Sequence, residues 1–320
     1  MSAHAVTLWF IDTDDAVGTL RAGVVNDVFV SQRIASAIYG DRVLVPAIDT
    51  SLDAAMNAGD QYIYVGHYGG LTVLSSPLFA SVRPSTLTRT IESIRESAFI
   101  PETATATLLY TDPWTSAGVF ARWEGGVLRR SFAADPVDIL EDQGVPYPFE
   151  RPFWAGEHPL RYAPGVAPDP LALPFHPQQL AEQANREWLG FRFTLPLAPT
   201  DLDPALLPVT GYSIHPLGYV PTAEDADRYR AATAATRADA QARKAAQARI
   251  AAGLAAITPQ PPVTDPFPHI PQTPQPTETR QPTETPHPAQ ASQPAQTSSF
   301  TAPQAHAPYP QPPYPQPPYP

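Results

Sequence analysis

Residues 104–132 read ATATLLYTDPWTSAGVFARWEGGVLRRSF. Three runs rich in β-branched and aromatic residues, ATATLLYTD, SAGVFARW and GVLRRSF, stand close together, and Glu124-Gly125-Gly126 supplies a turn between the last two. Consecutive strands on such short connections pair antiparallel, because a parallel pair needs a crossover of a dozen residues or more. The upstream pattern is different. AVTLWFI (Ala5–Ile11) is a continuous apolar run, long enough for one strand buried on both faces. A helix-compatible stretch follows to about Tyr39, with Gly23 and Asn26 placed to break it in two. DRVLVPAI reads as a second strand, and Pro46 puts it at an edge or a strand end. QYIYVGH and LTVLSS flank Tyr68-Gly69-Gly70, a turn between two strands. From Pro84 to Ser97 the spacing is helical, with Leu87, Ile91, Ile94 and Ala98 on one face.

Downstream, residues 136–177 are rich in proline and aromatics. HPQQLAEQANREWLGF then reads as a helix with Leu180, Ala184 and Trp188 on one stripe, and GYSIH as a short last strand. Strand-helix-strand order early and a meander later define an α+β fold: one mixed β-sheet with helices packed on it.

Composition divides the chain into a globular α+β domain over 1–221, an alanine-rich helical extension over 222–257 and a tail over 258–320. Thr222 and Asp225 form a helix-start pattern for the extension. The plainer reading is a solvated helical extension; the alternative is a self-association or partner helix with a narrow alanine seam. The tail holds half of the chain's 42 prolines and ends PYPQPPYPQPPYP. It cannot bury enough apolar surface to offset chain entropy, so disorder is expected. The plainer reading is a solvated tail that binds nothing; the alternative, to which the evenly spaced tyrosines within 303–320 point, is docking of a protein partner in an aromatic-lined groove. Residues 1–221 carry 13 Arg, no Lys and 24 acidic residues, which accounts for the chain's net charge of -11. Such a surface repels phosphate backbones, so no nucleic-acid partner is expected. Cysteine is absent, which excludes disulfides, thiolate metal sites and a cysteine nucleophile. No apolar run reaches the roughly 20 residues of a membrane span. The N-terminus lacks a basic signal region, so a cytoplasmic protein is expected.

Three places carry candidate chemistry. FWAGEHP (153–159) and LPFHP (173–177) hold His158 and His176, with Glu157 beside the first. Adjacent side chains point apart, so Glu157 and His158 do not form an evident acid-base pair with each other. Paired across the loop, the two histidines with Glu150 or Asp142 could act in hydrolysis or hold a metal. The plainer reading is that both imidazoles bond to backbone and pack on Phe153, Trp154 and Phe175. FIDTDDA (Phe10–Ala16) is similar to the nucleophile segment of haloacid-dehalogenase-type phosphatases, in which the first Asp attacks and the second is a general acid. That site also needs a cation, and the sole lysine is Lys244, so an arginine would have to substitute. The alternative is that Asp12, Asp14 and Asp15 cap the next helix. His67 stands in HYGG, which reads as a turn.

VLRRSF, ILEDQGVPYPFERPFWAGEHP and LPFHPQQLAEQANREWLGF resemble the signature segments of an uncharacterised actinobacterial family, a domain of unknown function. The resemblance covers about residues 126–193 closely and the N-terminus more loosely. It implies a bacterial, intracellular α+β protein and carries over no activity and no cofactor. Glu150, Trp154, Glu157, His158 and His176 match the motifs and are the expected site residues, with Arg129 and Arg130 as cations for an anionic ligand. The expected role is a binding or accessory protein whose Pro-Tyr tail meets partners. The alternative is a hydrolase or a metal- or small-molecule-binding enzyme centred on His158 and His176.

Overall fold

The structure, a computed structural model, describes residues 4–56, 62–162, 165, 167 and 169–257. The proline-rich tail and its Pro-Tyr repeats lie outside the described residues. The chain runs β1 (Ala5–Ile11), α1 (Ala16–Arg21), α2 (Val28–Ile38), β2 (Arg42–Ser51), α3 (Leu52–Met56), β3 (Tyr62–His67), β4 (Leu71–Ser75) and α4 (Thr88–Ser97). It continues with β5 (Thr105–Asp112), β6 (Ala117–Glu124), β7 (Val127–Ala134), β8 (Ile139–Gly144), α5 (Arg151–Trp154), α6 (Pro177–Leu189), β9 (Pro208–Pro216) and α7 (Ala223–Ile257).

The α+β class is as expected. The strands form one nine-stranded sheet in the order β2-β9-β3-β4-β1-β5-β6-β7-β8. Every pairing among them is antiparallel, which corrects the expected mixed sheet. The early strand-helix-strand order does not place β1 beside β2. Instead β2 lies at the far edge beside β9, and β1 sits between β4 and β5.

The central position of β1 explains its composition. Ala5, Trp9 and Ile11 face a core closed by α1, α3 and α6, while Val6, Leu8 and Phe10 face a second core closed by α2 and α4. All seven residues of β1 are buried. Each large side chain so buried contributes roughly 1.5–3 kcal/mol relative to exposure. The approach of α6 depends on Gly118 of β6, where a Cβ would stand 2.2 Å from the Pro177 carbonyl carbon. After α6 the chain turns at Gly190 (φ 80) and is tied back by a bond from Asn185 Nδ2 to the Phe191 carbonyl (2.8 Å).

Pro46 is accommodated as its chemistry requires, on an edge strand and next to a register shift between Pro46 and Ile48. The outer edge of β2 is covered by α7: the Asp49 backbone N–H donates to Thr233 Oγ1 (3.0 Å) and Tyr229 OH donates to Asp49 Oδ2 (2.8 Å). Thr222 and Asp225 cap this helix reciprocally, Thr222 N to Asp225 Oδ2 at 2.8 Å and Asp225 N to Thr222 Oγ1 at 3.3 Å. The docked face of α7 is polar, with Asp225 and Thr233 buried and Tyr229 partly so. No helix among the described residues is long and apolar enough to cross a membrane.

Candidate functional site

The sequence motifs around Arg130 converge on one buried ion pair. Arg130 of β7 is fully buried. Its Nε donates to Glu150 Oε1 (2.9 Å) and its Nη2 to Glu150 Oε2 (2.7 Å), a bidentate pair with both partners at 0% exposure. Nη1 donates to Asp142 and to the Gln143 carbonyl (3.0 Å). Burial alone would lower the Arg130 pKa, but the hydrogen bonds and charges of Glu150 and Asp142 raise it above the ordinary value. Glu150 also accepts from the Tyr147 backbone N–H (2.8 Å), which fixes the turn that starts PFE. The arginine of LRRS and the glutamate of PFE are therefore two halves of one clamp. Arg129, the next residue along the strand, has an exposed side chain, 3.8 Å from Glu124. Successive strand residues face opposite sides, so the two arginine side chains diverge, one buried and one exposed.

The two histidine motifs do meet, through their aromatics. Phe153 and Phe175 pack edge-on at 5.7 Å, and Trp154 packs edge-on against Phe175 at 4.8 Å and Phe132 at 6.0 Å. His158 is exposed and stacks on Phe153 at 4.1 Å. His176 stands at the N-cap of α6, where its carbonyl accepts from Gln179 N (3.0 Å) and its half-buried ring is pushed by burial to a lower pKa. His176 Nδ1 is buried without a hydrogen-bond partner. Glu157 is exposed. Among the described residues no hydrogen bond joins His158, His176 and Glu157, and no group of three or more His, Cys, Asp or Glu is arranged to hold a metal ion.

A cleft lined by both charged and apolar residues lies elsewhere, at the end of β1. Its volume is about 180 Å³. The Asp12 backbone N–H donates to the Gly70 carbonyl (2.7 Å), which fastens the β3–β4 turn to β1. A Cβ on Gly70 would come within 2.7 Å of the Asp12 carbonyl oxygen, so only glycine permits this approach. Asp12, Arg33 of α2, His67 of β3 and Thr72 of β4 supply polar groups, while Phe10, Val30, Ile34 and Ile100 supply an apolar wall. The exposed Asp12 carboxylate accepts from Thr103 Oγ1 (2.9 Å). Arg33 is exposed and forms no ion pair among the described residues. His67 pairs through Nδ1 with Thr72 Oγ1 (2.9 Å). Burial lowers the His67 pKa; Arg33 lowers it further and Asp27 opposes both. The ring is therefore mostly neutral at pH 7. At the rim, Phe99 is 83% exposed and holds φ 56, a backbone conformation uncommon for a bulky residue.

The cleft wall is joined to α7 by a chain of hydrogen bonds. His67 N donates to Asn26 Oδ1 (2.9 Å), Asn26 Nδ2 to Thr210 Oγ1 (3.0 Å), Thr210 Oγ1 to Asp49 Oδ1 (2.8 Å), and Asp49 Oδ2 accepts from Tyr229. Of the acidic residues after β1, Asp15 caps α1, accepting from Gly18 N at 2.7 Å, and Asp12 is among the residues that line the cleft. The antiparallel neighbours of β1 separate this arrangement from the parallel sheet of haloacid-dehalogenase-type phosphatases. Sequence reasoning took HYGG for a turn, which it is, and missed the cleft that the turn helps to build.

Sheet, helices and cleft define an α+β domain organised around one antiparallel sheet. The chain belongs to a family of unknown function (DUF6928), whose profile matches residues 5–212. The match starts at the first residue of β1 and ends within β9, so it encloses both the cleft and the Arg130 clamp. It agrees with the resemblance read from the signature segments at the level of a family without known function. No curated protein and no solved structure matches the chain.

Proposed function

We propose that this chain is a small-molecule-binding protein whose ligand sits in the cleft at the end of β1. One observation carries the reading: Asp12 and Arg33 line the same cavity, form no ion pair with each other, and share it with the His67 imidazole and an apolar wall. Wall groups with unused bonding capacity in a concave, largely apolar site are the signature of a ligand pocket. The volume of about 180 Å³ is below the roughly 300–1,000 Å³ of sites for drug-sized ligands, so a small metabolite fits. Cytoplasmic residence and partner docking through the 303–320 repeats belong to the same proposal, the latter on the five-residue spacing of Tyr309, Tyr314 and Tyr319.

A second reading keeps the hydrolase or metal site at His158 and His176. Its support is the unpartnered His176 Nδ1 on a ring that burial keeps neutral, a state suited to a general base or a metal ligand. A thermal-shift screen of the full chain against small metabolites and divalent metals separates the two. The cleft reading expects a ligand that raises the melting temperature of the parent and fails to do so for Val30→Trp and Ile100→Trp, which fill the cavity. A shift retained in both and lost in His176→Ala would transfer the site to the histidine motifs.

A further inference from the structure

We infer that the cleft takes a small zwitterion, a free amino acid with an apolar side chain, with its ammonium on Asp12 and its carboxylate on Arg33. The inference rests on the cleft reading above and names the ligand class for that site.

Charge sets the first constraint. One carboxylate and one guanidinium line the same cavity, and neither is neutralised by the other. The Asp12 carboxylate has a single neutral donor, Thr103 Oγ1 at 2.9 Å, and Arg33 has no carboxylate partner among the described residues. A ligand with one charge would satisfy one of these groups and desolvate the other without compensation, which is costly in a partly enclosed site. A ligand with both charges satisfies both, and each contact is a charge-assisted hydrogen bond. The third polar group, His67, adds hydrogen-bonding capacity without a full cationic charge, so the polar wall is balanced.

The second constraint is the rest of the wall. Phe10 and Ile34 are almost fully buried and line the cavity with Ile100. A hydrophilic metabolite would leave this surface against polar groups, whereas an aliphatic or aromatic side chain buries against it. The small volume excludes a nucleotide-sized body but admits a side chain of the size of leucine or phenylalanine. Phe99, exposed at the rim in its uncommon backbone conformation, is placed to cover such a side chain.

Isothermal titration of the full chain with L-leucine, L-phenylalanine, 3-phenylpropionate and 2-phenylethylamine tests the inference. Phenylalanine or leucine is expected to bind, and the two analogues that each lack one charge to bind about tenfold more weakly or worse. Asp12→Asn should weaken phenylalanine and leave 3-phenylpropionate unchanged. Arg33→Gln should weaken phenylalanine and leave 2-phenylethylamine unchanged. Equal affinity for phenylalanine and either analogue would overturn the zwitterion, and so would the absence of heat with both amino acids. If an analogue binds and Val30→Trp abolishes it, the cleft remains the site and only the ligand class falls. If binding persists in Val30→Trp and Ile100→Trp, the cleft reading falls as well.

Discussion

The Arg130 clamp and the Asp12 cleft use similar residues in opposite ways. At the clamp a fully buried guanidinium is met by a bidentate carboxylate, a second carboxylate and two backbone carbonyls. In the cleft a carboxylate and a guanidinium share a cavity and stay apart. Every nitrogen of the clamp's guanidinium already donates to a carboxylate or carbonyl, and the cluster holds the PFE turn and β8 against β7. The cleft has capacity on both charges. Charged residues in a motif are thus read differently according to whether the fold has already paired them.

The largest test of this contrast is Glu150→Ala. It leaves Arg130 buried without its main partner, and a loss of about 3–5 kcal/mol is expected by chemical denaturation. A loss as small as that of a surface substitution would mean the pair is not structural. Next is Asp49→Ala, which removes the acceptor of the fully buried Thr210 hydroxyl and of Tyr229. It should cost about 1–3 kcal/mol and speed amide exchange in the first turns of α7; unchanged exchange there would show that Asp49 does not dock the helix.

A smaller effect comes with pH. His67 and His176 both have folded-state pKa values below the ordinary 6.5. The unfolded chain therefore takes up protons first as pH falls, and the stability present above about 6.5 is lost progressively below it. The melting temperature should drop over that range, and a His67→Asn/His176→Asn double variant should drop less. Identical slopes would show that other groups set the acid limb. The smallest effect belongs to Asp12→Asn and Arg33→Gln, each expected to change stability by no more than about 0.5 kcal/mol, because neither carries an ion pair. A loss of several kcal/mol in either would place these residues in the architecture.

Much of the sheet was legible locally. The unbroken AVTLWFI run marked a strand buried on both faces, the β-branched and aromatic runs after Ala104 marked β5–β7, and Pro46 marked an edge. β8 was hidden because its inward residue is Glu141, which is buried on Ser85 and Ser131, so no apolar alternation marks the strand. The insertion of β9 between β2 and β3 was also illegible, since order in a sheet is a matter of long-range pairing. The same limit explains the sites. Arg130 and Glu150 stand 20 residues apart and gave a motif whose chemistry looked available until the fold joined them. Asp12, Arg33, His67 and Phe99 come from four separate segments and share no motif, so no local spacing announces them.

The most direct test of the central claim is a titration of the ¹⁵N-labelled full chain with L-phenylalanine, read at glycine amides. Gly69 and Gly70 line the cleft, and Gly156 lies in the FWAGEHP motif. Saturable shifts at Gly69 and Gly70, with Gly156 unmoved, are the predicted result. Shifts at Gly156 with the other two unmoved, or no shift at any of the three, would contradict it.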